Sequence, residues 1–326
     1  MRDDAVSFGL PEGETGDILT MINFGDRMEV FTEKSTFKLM SPDTLDPERN
    51  HQETPWVYTK ISDFGASNPL VANTVLLAND FLKQIFAGQD TKRFEIIQKV
   101  SDIRNILLEC FISLRSHVEE LKKEIGKFES NKDKMNGKAH SYFPQIKNID
   151  GFTTGFLISA KRCIQEISVL VNMFISLKAK HGRIDFLLKE VESEHAHAKD
   201  LIKVLRGNLP MCAHVFSLRN AQEHAATRDN PLIINNFSIE NGLELSLPRW
   251  GVKGSSSSLI HVEADNILKF LITFFEEVFL SCAILSFPSF PVYKIFFNDK
   301  PDDKMPIRYN IHISLPDTFP GKERQS

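Results

Sequence analysis

Ile96-Ile97-Gln98-Lys99-Val100-Ser101-Asp102-Ile103-Arg104-Asn105-Ile106-Leu107-Leu108-Glu109-Cys110-Phe111-Ile112-Ser113-Leu114 sets its apolar residues three and four apart. Ile96, Ile97, Val100, Ile103, Ile106, Leu107, Cys110, Phe111 and Leu114 fall on one stripe of a 3.6-residue helix. The spacing predicts a long helix from Asp90 or Thr91 to about Glu129, and with it a mainly helical chain. Upstream, Asn68-Pro69 is a cap followed by a first-turn proline. It starts a stripe of Leu70, Val71, Val75, Leu76, Phe81, Leu82, Ile85 and Phe86 that ends before Gly88.

Downstream, Lys122, Lys123, Lys127, Lys132, Lys134 and Lys138 cluster at the helix end and in a polar loop. They form either a solvated turn or a patch that steers RNA. A third helix is expected from about Gly155 to Lys178 and a fourth from about Arg183 to Arg206. Gly207-Asn208-Leu209-Pro210 is expected to end the fourth, with a short helix beginning after the proline.

The flanks read differently. Residues 1–67, rich in Pro, Gly, Asp and Thr, are expected to form an N-terminal arm in which Met28–Phe31 and Thr36–Met40 pair as short strands. The rest, 68–326, is read as one helical body with a bundle over 68–228. A β-hairpin is expected over 232–250, turning at Glu240-Asn241-Gly242. Gly251 to Ser258 reads as a Gly/Ser connector, followed by an apolar helix over 259–285 and strands over 291–315. The fold class is therefore mainly α (α+β): a helical bundle, an N-terminal arm and a small antiparallel β-sheet from the C-terminal third.

Composition narrows the function. The chain has 326 residues and a formal net charge of −4, so no global basic field marks a protein that coats nucleic acid. Cys110, Cys163, Cys212 and Cys282 are scattered, which suggests neither a zinc site nor a disulfide framework and fits a reducing cytoplasm. The N-terminus has no signal-peptide pattern. Within the most apolar stretch, Glu276 and Glu277 would each cost on the order of 2.5–3.5 kcal/mol in a bilayer, so no membrane span is expected.

Chemistry gathers at Ser217-Leu218-Arg219-Asn220-Ala221-Gln222-Glu223-His224-Ala225. A guanidinium can hold a phosphodiester and favour its added transition-state charge. An imidazole can move a proton to or from a ribose hydroxyl. The same residues also read as a solvated helix arginine, a cap and a pocketed core histidine.

The Arg-Asn-x-x-x-His pattern of Arg219, Asn220 and His224 resembles the ribonuclease motif of the HEPN superfamily, over about residues 68–228. The resemblance implies a HEPN-like bundle and a metal-independent endoribonuclease that cleaves single-stranded RNA. It assigns catalysis to Arg219, Asn220 and His224 and requires no cofactor or metal. Arg219 and His224 lie about 140° and roughly 7.5 Å apart on an ideal helix. The superfamily brings such residues together by dimerising, so the resemblance implies a homodimer, in the setting of a toxin or phage-defence effector with an antitoxin or regulator. Where many HEPN toxins carry a tyrosine two residues after the histidine, this chain has Ala226, which puts adenylylation in doubt.

Arg228, just past the motif, is a candidate second phosphate contact. Glu194 and His197, three apart on the preceding helix, are candidate accessory residues. Their Glu-x-x-His spacing lacks the matching carboxylates of a di-iron bundle. No Walker loop and no Gly-x-Ser-x-Gly elbow is present. The alternative is a non-catalytic helical sensor or scaffold that binds a nucleotide or protein partner in the same groove.

Overall fold

The computed structural model describes residue 14 and residues 16–132, 143–178, 182–223, 230–240, 244–288 and 292–314. It is mainly helical with small antiparallel sheets. The chain forms two compact units: one of residues 1–104 with 279–326, the other of residues 105–278.

Unit one begins with β1 (Ile18–Asn23), β2 (Met28–Thr32) and β3 (Thr36–Met40). The short helix α1 (Pro42–Leu45) and then β4 (Val57–Ser62) follow. The strands form an antiparallel meander in chain order, with Met21 opposite Val30, Val30 opposite Phe37, and Leu39 opposite Tyr58. The expected pairing of β2 with β3 is present, with β1 and β4 added outside it. Alternation turns Val30, Phe37 and Leu39 into one core face, against which Ile18, Met28 and Trp56 pack.

Asn68 caps α2 (Pro69–Val71) by accepting the Leu70 N–H, with Pro69 in the first turn as expected. A π turn (Ala72–Leu76) and α3 (Leu77–Ile85) continue the helix. The π turn has a visible cause. The Asn73 amide donates to the Pro69 and Pro306 carbonyls, both at 3.0 Å, and its oxygen accepts the Arg308 N–H at 2.8 Å. Helix α4 (Asp90–Lys132) contributes residues to both units.

Glu29 on β2 and Arg104 on α4 form an ion pair at 2.8 Å, with side chains 1% and 3% exposed. Arg27 bonds the other Glu29 oxygen at 3.1 Å, and Ser101 accepts from Arg104 at 3.0 Å. Every charge in this cluster has a partner, as burial demands.

Unit two holds α5 (Ile149–Phe174), α6 (Ile184–Glu194) and α7 (Lys199–Glu223). It also holds β5 (Leu232–Asn235), β6 (Ser238–Glu240), β7 (Glu244–Ser246), β8 (Arg249–Val252) and β9 (Ser258–Leu259). Helix α8 (Ile260–Ser286) contributes to both units, and β10 (Val292–Phe297) with β11 (Tyr309–Ser314) completes unit one. No helix among the described residues is long and apolar enough to cross a membrane.

Three expectations are corrected. Pro210 does not end a helix: α7 runs through it from Lys199 to Glu223, so Arg219 and Asn220 sit on a long helix. A proline inside a helix costs about 3 kcal/mol or more. Here Leu201, Leu205, Cys212, Val215 and Leu218 are buried on both sides of it. Burying a large apolar side chain is worth about 1.5–3 kcal/mol, so the packed face outweighs the lost bond. The Asn208 amide adds a bond to the Val204 carbonyl at 2.9 Å.

The expected fourth helix breaks instead at His195, whose ring nitrogen bonds the Ser176 carbonyl at 2.8 Å. The 232–250 hairpin is present, in two ladders. Its register is the expected one, from Leu232 opposite Val252 to Glu240 opposite Glu244, but the ladder is interrupted between β5–β8 and β6–β7, where the Asn236 side chain bonds both backbone groups of Ile146. Gly251, read as connector, lies within β8.

Glu29→Ala should destabilise the protein by about 3–5 kcal/mol, because it leaves two arginines without their shared carboxylate. Urea unfolding monitored by circular dichroism measures this. A loss under 1 kcal/mol would show that the cluster is solvated.

Candidate functional site

Helices α5, α6 and α7 with strand β8 line a cavity of about 950 Å³ inside unit two. Residues of α7 return to it every three or four positions: Cys212, Phe216 and Asn220, flanked by Ala213 and Ser217. Helix α5 supplies Lys161 and Gln165, the start of α6 supplies Arg183 and Asp185, and Asn230 and Val252 complete the wall.

The charges are unequally matched. Arg183 grips Asp185 with two bonds, at 3.0 and 2.7 Å, which hold the Asp185 carboxyl below its ordinary range. The same guanidinium lies 4.5 Å from the Phe186 ring centre. Lys161 is different. Its ammonium lies 6.0 Å from the Phe216 ring centre, and no carboxylate among the described residues pairs with it. The carboxamides of Gln165 and Asn220 have no hydrogen-bond partner among the described residues and face the same space.

Cysteine chemistry is quiet here. Cys110, Cys163 and Cys212 lie buried on α4, α5 and α7. Burial pushes the Cys110 and Cys212 thiols up to about 12 and the Cys163 thiol well above its ordinary value. Cys212 therefore meets the cavity as a small apolar wall.

The motif is divided across its helix. Asn220 lines the cavity. Arg219 does not: it donates to Gln222 at 3.0 Å and pairs with Glu223 at 3.2 Å, and Gln222 in turn donates to Thr154 of α5 at 2.7 Å. His224 and Arg228 lie outside the described residues. Glu194 is the last residue of α6 and pairs with Lys178 at 2.7 Å. His197 lies beyond that helix end, its ring 5.8 Å from that of His195, so it shares no helical face with Glu194. Neither residue lines the cavity. Among the described residues, no three His, Cys, Asp or Glu gather to hold a metal ion.

Sequence reading missed Lys161, Gln165 and Cys212. A lysine on an amphipathic helix carries no signal that its neighbours lack carboxylates. Comparison with family models, curated proteins and solved structures finds no match to this chain.

A second feature of unit two sets its acid stability. His117 of α4 is 4% exposed and stacks on Phe152 with ring centres 4.2 Å apart. Burial, reinforced by His261, lowers its pKa to about 4. The unfolded chain takes this proton more readily, so stability is full above pH ~6.5 and falls as the pH drops toward 4. The loss should approach about 3 kcal/mol. His117→Phe should remove that share of the acid limb, read as the difference between the two unfolding profiles from pH 7 to 4. Identical profiles would contradict it.

Proposed function

We propose that unit two is a ligand-binding helical module whose cavity takes a small anionic molecule of the nucleotide class. The observation that carries this is Lys161, a half-buried cation facing the cavity without a carboxylate partner among the described residues. Withdrawing a charge from water is unfavourable unless a counter-charge arrives, and a phosphate supplies one. The Gln165 and Asn220 carboxamides each offer a donor and an acceptor, which suits the edge of a base. Phe216 offers a ring face. The cavity falls within the roughly 300–1,000 Å³ of small-molecule sites. Four free thiols are consistent with work in a reducing cytoplasm.

A second reading keeps the HEPN-type endoribonuclease, because Asn220 of the motif lines the same cavity. It requires Arg219 to release Glu223 and turn toward RNA, with two copies of the chain sharing one cleft. Cleavage would then proceed by 2′-hydroxyl attack and persist in EDTA, in the setting of a regulated toxin or defence effector.

Calorimetric titration with adenosine monophosphate should show binding that weakens at least tenfold in Lys161→Met. Single-stranded RNA should remain intact under the same conditions. RNA cleavage abolished by Arg219→Ala would establish the second reading instead. Absence of binding in the parent protein, or equal binding by Lys161→Met, would overturn the first.

A further inference from the structure

The cavity wall holds a second cation whose partner is replaceable. Arg183 and Asp185 both line the cavity at the start of α6, with side chains 64% and 36% exposed. An ion pair this open to water contributes little to stability, so parting it costs little. Each of its members has another contact. The guanidinium rests against the Phe186 ring, 4.5 Å from its centre. The Asp185 carboxylate also accepts the backbone N–H groups of Asp185 and Phe186. Lys189 follows Asp185 by four residues on α6, the spacing at which an acidic residue ahead of a lysine pairs on a helix. Its ammonium stands 5.9 Å from the centre of the same Phe186 ring, and no carboxylate among the described residues pairs with it. Asp185 can therefore release Arg183 without being left alone.

Gln165 ties this pair to Lys161. Gly182, the residue before Arg183, packs against the Gln165 side chain: a Cβ there would stand 3.5 Å from Nε2. Lys161 precedes Gln165 by four residues on α5, so the two are neighbours on one helix face, with Cβ atoms roughly 5–6 Å apart. Lys161, Gln165 and Arg183 all line the one cavity.

We propose that the cavity takes an organic diphosphate, with Lys161 on one phosphate and Arg183, exchanging Asp185 for the ligand, on the other. The proposal rests on the reading of this cavity as a site for an anion of the nucleotide class. Lys161 matches one phosphate. A second has no counter-charge on this wall until Arg183 turns to it. The guanidinium fork that holds both Asp185 oxygens fits two phosphate oxygens in the same way. Asp185 then pairs with Lys189 and keeps its two backbone donors. Asp185 thus sets the specificity: it occupies the fork until a ligand brings a second charge.

Calorimetric titration of the full chain with ADP and with AMP tests this, in EDTA so that no magnesium shares the phosphates. ADP should bind at least about tenfold more tightly than AMP. Arg183→Gln should bring the ratio of the two affinities close to one. Asp185→Asn, which loosens the grip on the fork, should raise it. The Arg183 guanidinium ¹⁵N signal should move on saturation with ADP and stay in place with AMP, which a merely structural role would not produce. Equal affinity of the parent chain for ADP and AMP would overturn the proposal and leave the cavity reading intact. So would a preference for ADP that survives in Arg183→Gln. Binding of neither nucleotide would overturn both.

Discussion

Neighbouring residues leave an α-helix about 100° apart. That constraint governs the functional reading, because α7 stays helical from Lys199 to Glu223. Had the chain broken at Pro210, a short and separately oriented segment could have turned Arg219 and Asn220 toward one ligand. In the unbroken helix Asn220 goes to the cavity and Arg219 to Glu223 and Gln222. The buried residues on both sides of Pro210 hold that division in place. A motif legible as a line of letters is thus split by the same packing that makes its helix.

The cavity follows from this arrangement. α7 packs against α5 and α6 and touches β5 and β8, so its remaining face is walled by those elements. The matched pair Arg183–Asp185 and the unmatched Lys161 then give the space its net positive character. Opposite needs are met elsewhere in the chain. Glu29 is shared by two arginines in unit one, where nothing is left over for a ligand. The contrast between a saturated buried cluster and an unsaturated one separates architecture from a candidate site.

Much of the fold was legible because periodicity and caps are local. The stripe of α4, the Asn68-Pro69 start, the β2–β3 pair and the last helix all appear where the residues set them. What escaped depends on distant partners. Nothing in Glu194 to Ala198 forbids a helix, yet His195 is held by Ser176 from another segment. The strand containing Asn236 looks continuous until its side chain is seen bonding Ile146, ninety positions away. The candidate site was legible in Asn220 alone. Lys161 and Gln165 become conspicuous only once helices far apart in sequence are packed, since neither shows a motif.

The central claim is that Asn220 and Arg219 face different surroundings, with the ligand on the side of Asn220. Side-chain ¹⁵N NMR of the full chain, titrated with adenosine monophosphate, addresses it directly. The carboxamide signals of Asn220 and Gln165 should shift together and saturate together, while the guanidinium signal of Arg219 stays fixed on Glu223. Movement of the Arg219 signal with the titration, or no shift at Asn220, would contradict the account.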